Sequence, residues 1–157
     1  MEKPTDKSPG ITESLAEIEK GVGSLYEAYG HQFPAHQPFW QELANEEKEH
    51  AAWLEKLAVL VTQGKATINE QRFNRIAARS FLNYLKEETA KVARQEITLL
   101  NAAVVALYLE ESIIERHYYE VMAGDDPELR KTFDNLEKAT RGHTERLRDF
   151  LTKVKNP

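Results

Sequence analysis

The sequence predicts an all-α protein, and three observations carry that reading. Apolar residues recur at spacings of three and four along nearly the whole chain, and no segment alternates as a strand would. Only seven glycines and six prolines interrupt 157 residues, while 41% are hydrophobic and 30% charged, the composition of a folded helical domain. The breaks that do occur divide the chain into four long helices. The first and third junctions are short and the middle one is long.

Each element has its own signal. After a flexible opening over residues 1–10, Thr12 and the pair Ser14 and Glu17, spaced as a capping box, start a first helix that runs to about Tyr29. Gly30 and the prolines of "GHQFPAHQP" end it, and Pro38 is suited to the first turn of a second helix. That helix continues through Val61 to a stop at Gly64. The stretch from Lys65 to Ile97 mixes amphipathic and polar turns and predicts a long connection with one or two short helices. Thr98 caps a third long helix from Leu99 to about Met122, closed by Gly124. Asp126 followed by Pro127 starts the fourth, which extends to about Val154. Two antiparallel hairpins joined by a long crossover describe a ferritin-like four-helix bundle, here one domain over residues 11–157.

Composition narrows the function. With no cysteine among the 157 residues, thiolate metal sites, disulfides and cysteine nucleophiles are excluded, so a bound metal must be held by nitrogen and oxygen. A net charge of −5 gives no basic footprint for nucleic acid. No apolar run is long enough to span a bilayer, and "MEKPTDKSPG" lacks the apolar core of a signal peptide, so a cytoplasmic location is expected.

The phase of each helix then picks out candidate ligands. In the second helix Phe39, Leu43, Leu54, Leu57 and Val61 form the apolar stripe, and at about 100° per residue Glu47 and His50 fall inside it. Glu46 lies at the edge, whereas Lys48 and Glu49 face outward. A glutamate and a histidine at i and i+3 reach one point beside a helix, a spacing suited to a metal ion. In the first helix Glu19 lies near the edge of the face marked by Leu15, Val22, Leu25 and Tyr29. In the third, Asn101, Ser112 and Glu115 mark the outward line and Glu110 the inward one, with Glu111 flanking it. In the fourth, Thr140 and His143 lie on the core side with Phe133, Leu136, Leu147 and Leu151. Three inward carboxylates and two inward histidines repel or strand one another without a cation to neutralise them.

Other residues carry smaller expectations. Trp40 and Trp53 are assigned to the core, Tyr26, Tyr118 and His117 to the core or to the surroundings of the metal, while His31 and His36 are placed on the exposed loop. The runs "KEE" at Lys86 to Glu88 and "ERLRD" at Glu145 to Asp149 read as solvated faces.

The segments "EIEKGVGSLYEAY" and "FWQELANEEKEHAAWLEKL" resemble the first hairpin of the rubrerythrin and ferritin-like superfamily, and "ALYLEESIIERHYYE" with "TFDNLEKATRGHTERL" resembles its repeat. The resemblance implies a carboxylate-rich two-iron centre, with Glu19, Glu47, His50, Glu110 and His143 as ligands. It implies oxygen or peroxide redox chemistry, or iron handling. One position departs from the pattern: Thr140 stands where the second Glu-x-x-His has its glutamate. One ion, two ions or another divalent metal are therefore all open. A rubrerythrin proper also has a cysteine-bound iron domain, so electrons here would come from a separate donor or from ferrous iron itself. The competing class is a non-catalytic helical module that has lost its centre and binds a partner or forms a homodimer.

Overall fold

In the structure, a computed structural model, the described residues are 10–66, 75–115 and 126–157, and four of the five helices among them begin or end at the predicted breaks. Helix α1 spans Ile11–Gln32, and a single 3-10 turn, Pro34–His36, leads into α2 at Gln37–Thr62. Helix α3 spans Arg75–Ala93, α4 Leu99–Glu115 and α5 Pro127–Lys155. Among the described residues there is no strand, so the chain is all-α.

The helix ends show which local signals acted. The start of α1 does not use Ser14 and Glu17: the backbone N–H of Gly10 donates to Glu13 Oε2 at 3.3 Å, one turn earlier than expected. At its other end the helix passes through Gly30 to Gln32, because Gly30 packs under Trp40 and Gln37 and needs no positive φ. Gly64 does adopt a left-handed conformation, φ 71°, and ends the α2 hairpin arm as expected. Thr98 caps α4 by accepting from the Asn101 N–H at 3.1 Å, and Asp126 caps α5 by accepting from the N–H groups of Glu128 and Leu129.

The long connection departs most from expectation. Its described part holds one helix of 19 residues, α3, rather than short pieces. Ala78, Phe81, Leu85 and Val92 are buried along it, and it packs on α1, where Leu85 Cδ1 lies over Gly21. Glu88 shares that face and is buried too, with Lys91 Nζ donating to it at 2.9 Å, so the "KEE" run is not a uniformly solvated face. The expected end of α4 near Met122, together with His117 and Tyr118, lies outside the described residues.

Helices α1 and α2 pair antiparallel, with Lys20 against Glu55 and Glu27 against Lys48 along the seam. At the closed end of this hairpin Trp40 meets Tyr29 at a ring separation of 5.0 Å and Phe150 of α5 at 5.5 Å, and Phe39 stacks on Phe150 at 4.1 Å. The aromatic cluster thus ties the first hairpin to the last helix. Trp40 is core as expected, whereas Trp53 is only half-buried.

Gly23 sets how closely α1 approaches α2 at the level of Glu47. A Cβ built there would lie 3.2 Å from Glu47 Cβ and 3.4 Å from the Ala44 carbonyl oxygen. We expect Gly23→Val to force the hairpin apart and to destabilise the protein by about 1–3 kcal/mol, measured by denaturant unfolding. Unfolding at wild-type denaturant concentration would show that the seam at Gly23 has slack.

Candidate metal centre

The residues nominated from helix phase converge in the middle of the bundle. Glu47, His50, Glu110 and His143 are all 3% exposed or less, and Glu19 is 5% exposed, deeper than its edge position suggested. Two groups of ligand atoms form, each within 4.8 Å: Glu19 with Glu47 and His50, and Glu47 with Glu110 and His143. Glu47 belongs to both.

Distances within the groups show how the side chains are aimed. His50 Nδ1 is 3.3 Å from Glu47 Oε2, and His143 Nδ1 is 2.8 Å from Glu47 Oε1 and 3.3 Å from Glu110 Oε1. The two carboxylate oxygens of Glu47 therefore face different histidines. The two imidazoles lie nearly parallel with centroids 5.3 Å apart. Tyr26 Oη donates to Glu110 Oε1 at 2.7 Å, which places this tyrosine beside the cluster as expected. Glu111 instead pairs with Arg148 at the surface, 2.9 Å away, so Glu110 is the inward acid of α4. Ser112, expected on the outward line, is 8% exposed and thus inside, as α4 is wrapped more completely than one amphipathic stripe implies.

At the position opposite Glu47 in the repeat, Thr140 is 2% exposed and its hydroxyl donates to the Leu136 carbonyl at 2.8 Å. No carboxylate from α5 enters the cluster among the described residues.

A family model described as Rubrerythrin matches residues 16–151. The chain belongs to the rubrerythrin family. No curated protein and no solved structure gives a match. The family assignment and the two carboxylate–histidine groups agree on a ferritin-like bundle with residues able to hold a metal, and no described helix is long and apolar enough to cross a membrane.

In this rubrerythrin-family chain the donor set suits the group. Three carboxylates and two imidazoles form a nitrogen and oxygen site of the kind that iron, manganese or zinc accept. The protonation pattern shows the strain that a cation would relieve. Burial and the charge of Glu47 hold Glu110 up at about 7, against the hydrogen bonds from His143 and Tyr26. Burial opposes a charge on His143, but its bonds to Glu110 and Glu47 outweigh that and push it up to about 11. Burial disfavours a charge on Glu47 as well, yet hydrogen bonds with Glu19, His143 and His50 hold it well below the usual carboxylate range. Without a metal, a protonated His143 supplies the positive charge.

Sequence reasoning placed Glu46 at the edge and read "ERLRD" as solvated. In the structure Glu46 Oε2 is 2.6 Å from His143 Nε2, and Arg146 Nη2 donates to the same oxygen at 2.5 Å. These contacts join positions 97 and 100 residues apart, for which helix phase carries no signal.

The shifts fix a pH dependence for the metal-free protein. Glu110 and His143 hold protons more tightly when folded, so the stability they contribute is complete below their ordinary values of 4.5 and 6.5. It is lost as pH rises through about 7 and then toward about 11. The lowered Glu47 and Glu46 contribute in the opposite sense only below about 4.5. Chelator-treated protein should therefore melt several degrees lower at pH 10 than at about 6.5, and His143→Gln should flatten that slope. A melting temperature that rises over this range would contradict the protonated His143.

Proposed function

We propose that the protein binds iron in its core through Glu19, Glu47, His50, Glu110 and His143 and uses it in oxygen or peroxide redox chemistry. The single observation that supports this most is the sharing of Glu47 between two carboxylate–histidine groups. A bridging carboxylate is the arrangement that two neighbouring cations would neutralise. Each ion would be held by Glu47, one further carboxylate and one histidine.

Iron held there would supply one-electron chemistry toward dioxygen or peroxide. The chain's own residues set the surroundings. Glu110 orients the Tyr26 hydroxyl, which is fully buried and keeps its proton, since burial and Glu110 raise it well above the ordinary tyrosine range. It is thus a hydrogen-bond donor at the edge of the site. Leu25, Leu109 and Leu136, all fully buried, belong to the core that keeps bulk water away. No cysteine stands among the 157 residues, so none of them can hold a thiolate-bound iron as electron donor.

Removing the shared ligand is the direct test. Glu47→Ala should lose nearly all ferrous iron retained in anaerobic dialysis, and His50→Ala most of it. The melting temperature of the iron-loaded form should fall further than that of the metal-free form, because an ion stabilises only the state that binds it. Equal metal content in wild type and both variants would sink the assignment.

Thr140 favours a second reading, in which the centre is lost and the bundle serves as a binding module. Thr140→Glu separates the two. A glutamate there projects one turn before His143, as Glu47 does before His50. In the metal-binding protein it should tighten iron binding on the His143 side, where a further carboxylate joins the ligands. In a module without a metal it buries a charge with no cation and should cost several kcal/mol of stability. Iron titration run beside thermal melts reads both, and loss of stability without gain in iron would retire the redox function.

A further inference from the structure

Glu46 belongs to neither ligand group, yet it makes one of the short contacts at the centre, 2.6 Å from His143 Nε2. The consecutive glutamates of α2 lie on opposite sides of one imidazole. Glu47 meets Nδ1 at 2.8 Å and Glu46 meets Nε2. A histidine binds a metal through one ring nitrogen only, and the acceptor on its other nitrogen decides which one carries the proton. With Glu46 accepting at Nε2, the free lone pair is on Nδ1, the nitrogen that faces Glu47 and Glu110.

Glu46 is itself held. Arg146, three residues after His143 on α5, donates through Nη2 to the same Glu46 oxygen, while its Nη1 lies 3.4 Å from Glu42 Oε1. The contact crosses from α2 to α5, and it matters more on this side of the centre than on the other. His50 has Glu47 three residues before it on its own helix, whereas His143 has Thr140, whose hydroxyl is turned to Leu136. Orientation that an intrahelical acid gives to His50 comes to His143 from other helices, through Glu47 and Glu110 at Nδ1 and through Glu46 at Nε2.

We propose that Glu46, fixed by Arg146, is a positioning residue that sets the tautomer and the angle of His143 for a metal ion between Glu47, Glu110 and His143. The role rests on the metal-binding reading above. It stands in for the orienting effect of the missing α5 glutamate without adding a ligand.

Cobalt(II) is the probe, with calorimetry for affinity and its visible absorption for coordination. Glu46→Ala should weaken binding at the His143 side about ten- to a hundredfold, change the absorption envelope of that ion, and leave the ion at Glu19, Glu47 and His50 within about threefold, since the two ions share only Glu47. Glu46→Gln should recover much of the loss, because its amide oxygen still accepts from Nε2, and Arg146→Gln should fall between. In a His143→Ala background, Glu46→Ala should add nothing. Wild-type affinity in Glu46→Ala, or an equal loss at both ions, overturns the positioning role while leaving metal binding intact. A wild type that takes up no cobalt overturns the proposed function and this role with it.

Discussion

A single buried charge, the Glu47 carboxylate, constrains the rest of the molecule. It is 1% exposed and its oxygens face different histidines, His50 from its own helix and His143 from α5. An ionised carboxylate at that depth costs several kcal/mol unless its field is answered locally. The answer is collected from three helices: a hydrogen bond with Glu19 of α1, His50 of α2 itself and His143 of α5. Gly23 lets α1 close over Glu47, and the aromatic cluster around Trp40 fixes α1, α2 and α5 at the next level of the bundle. The polar centre therefore depends on the register of the apolar packing above it.

The two hairpins are not equivalent in what they bring. The first supplies an acid from α1 and a glutamate–histidine pair from α2, while the second supplies an acid from α4 and a histidine without its glutamate. The consequence is electrostatic before it is geometric. A fourth buried carboxylate would add a further negative charge to a cluster in which Glu110 is already pushed up to about 7 by burial and by Glu47. Thr140 removes that charge and spends its hydroxyl on the Leu136 carbonyl, so the change leaves no orphaned donor. The burden of aiming His143 then passes to groups outside the centre, and Glu46 with Arg146 lie where it can be met.

Helix phase made much of this legible. Glu47, His50, Glu110 and His143 were placed inward by angle alone, because on a bundle helix the inward direction coincides with the apolar stripe. Phase failed where a third helix changes what counts as inside. Short helices in the connection would leave Glu88 solvated, and only a 19-residue α3 laid on α1 buries that face. Glu19 lies at the edge of its stripe yet reaches Glu47 and His50 of α2, and Ser112 lies on a helix whose Ala102, Ala103 and Ala106 draw its neighbours in. Glu46 shows a different gap. An edge position can face water or another helix, and the periodicity of one helix does not distinguish them.

The same centre has two ways to be neutral, and they compete. In the metal-free protein a proton on His143, shared among Glu46, Glu47 and Glu110, carries the positive charge. A metal ion needs the Nδ1 lone pair and the ionised acids, so its arrival displaces the protons that stabilise the metal-free fold. The metal-free protein loses stability as pH rises, while metal uptake gains from the same change. Protons and cations thus act as alternative occupants of one electrostatic well.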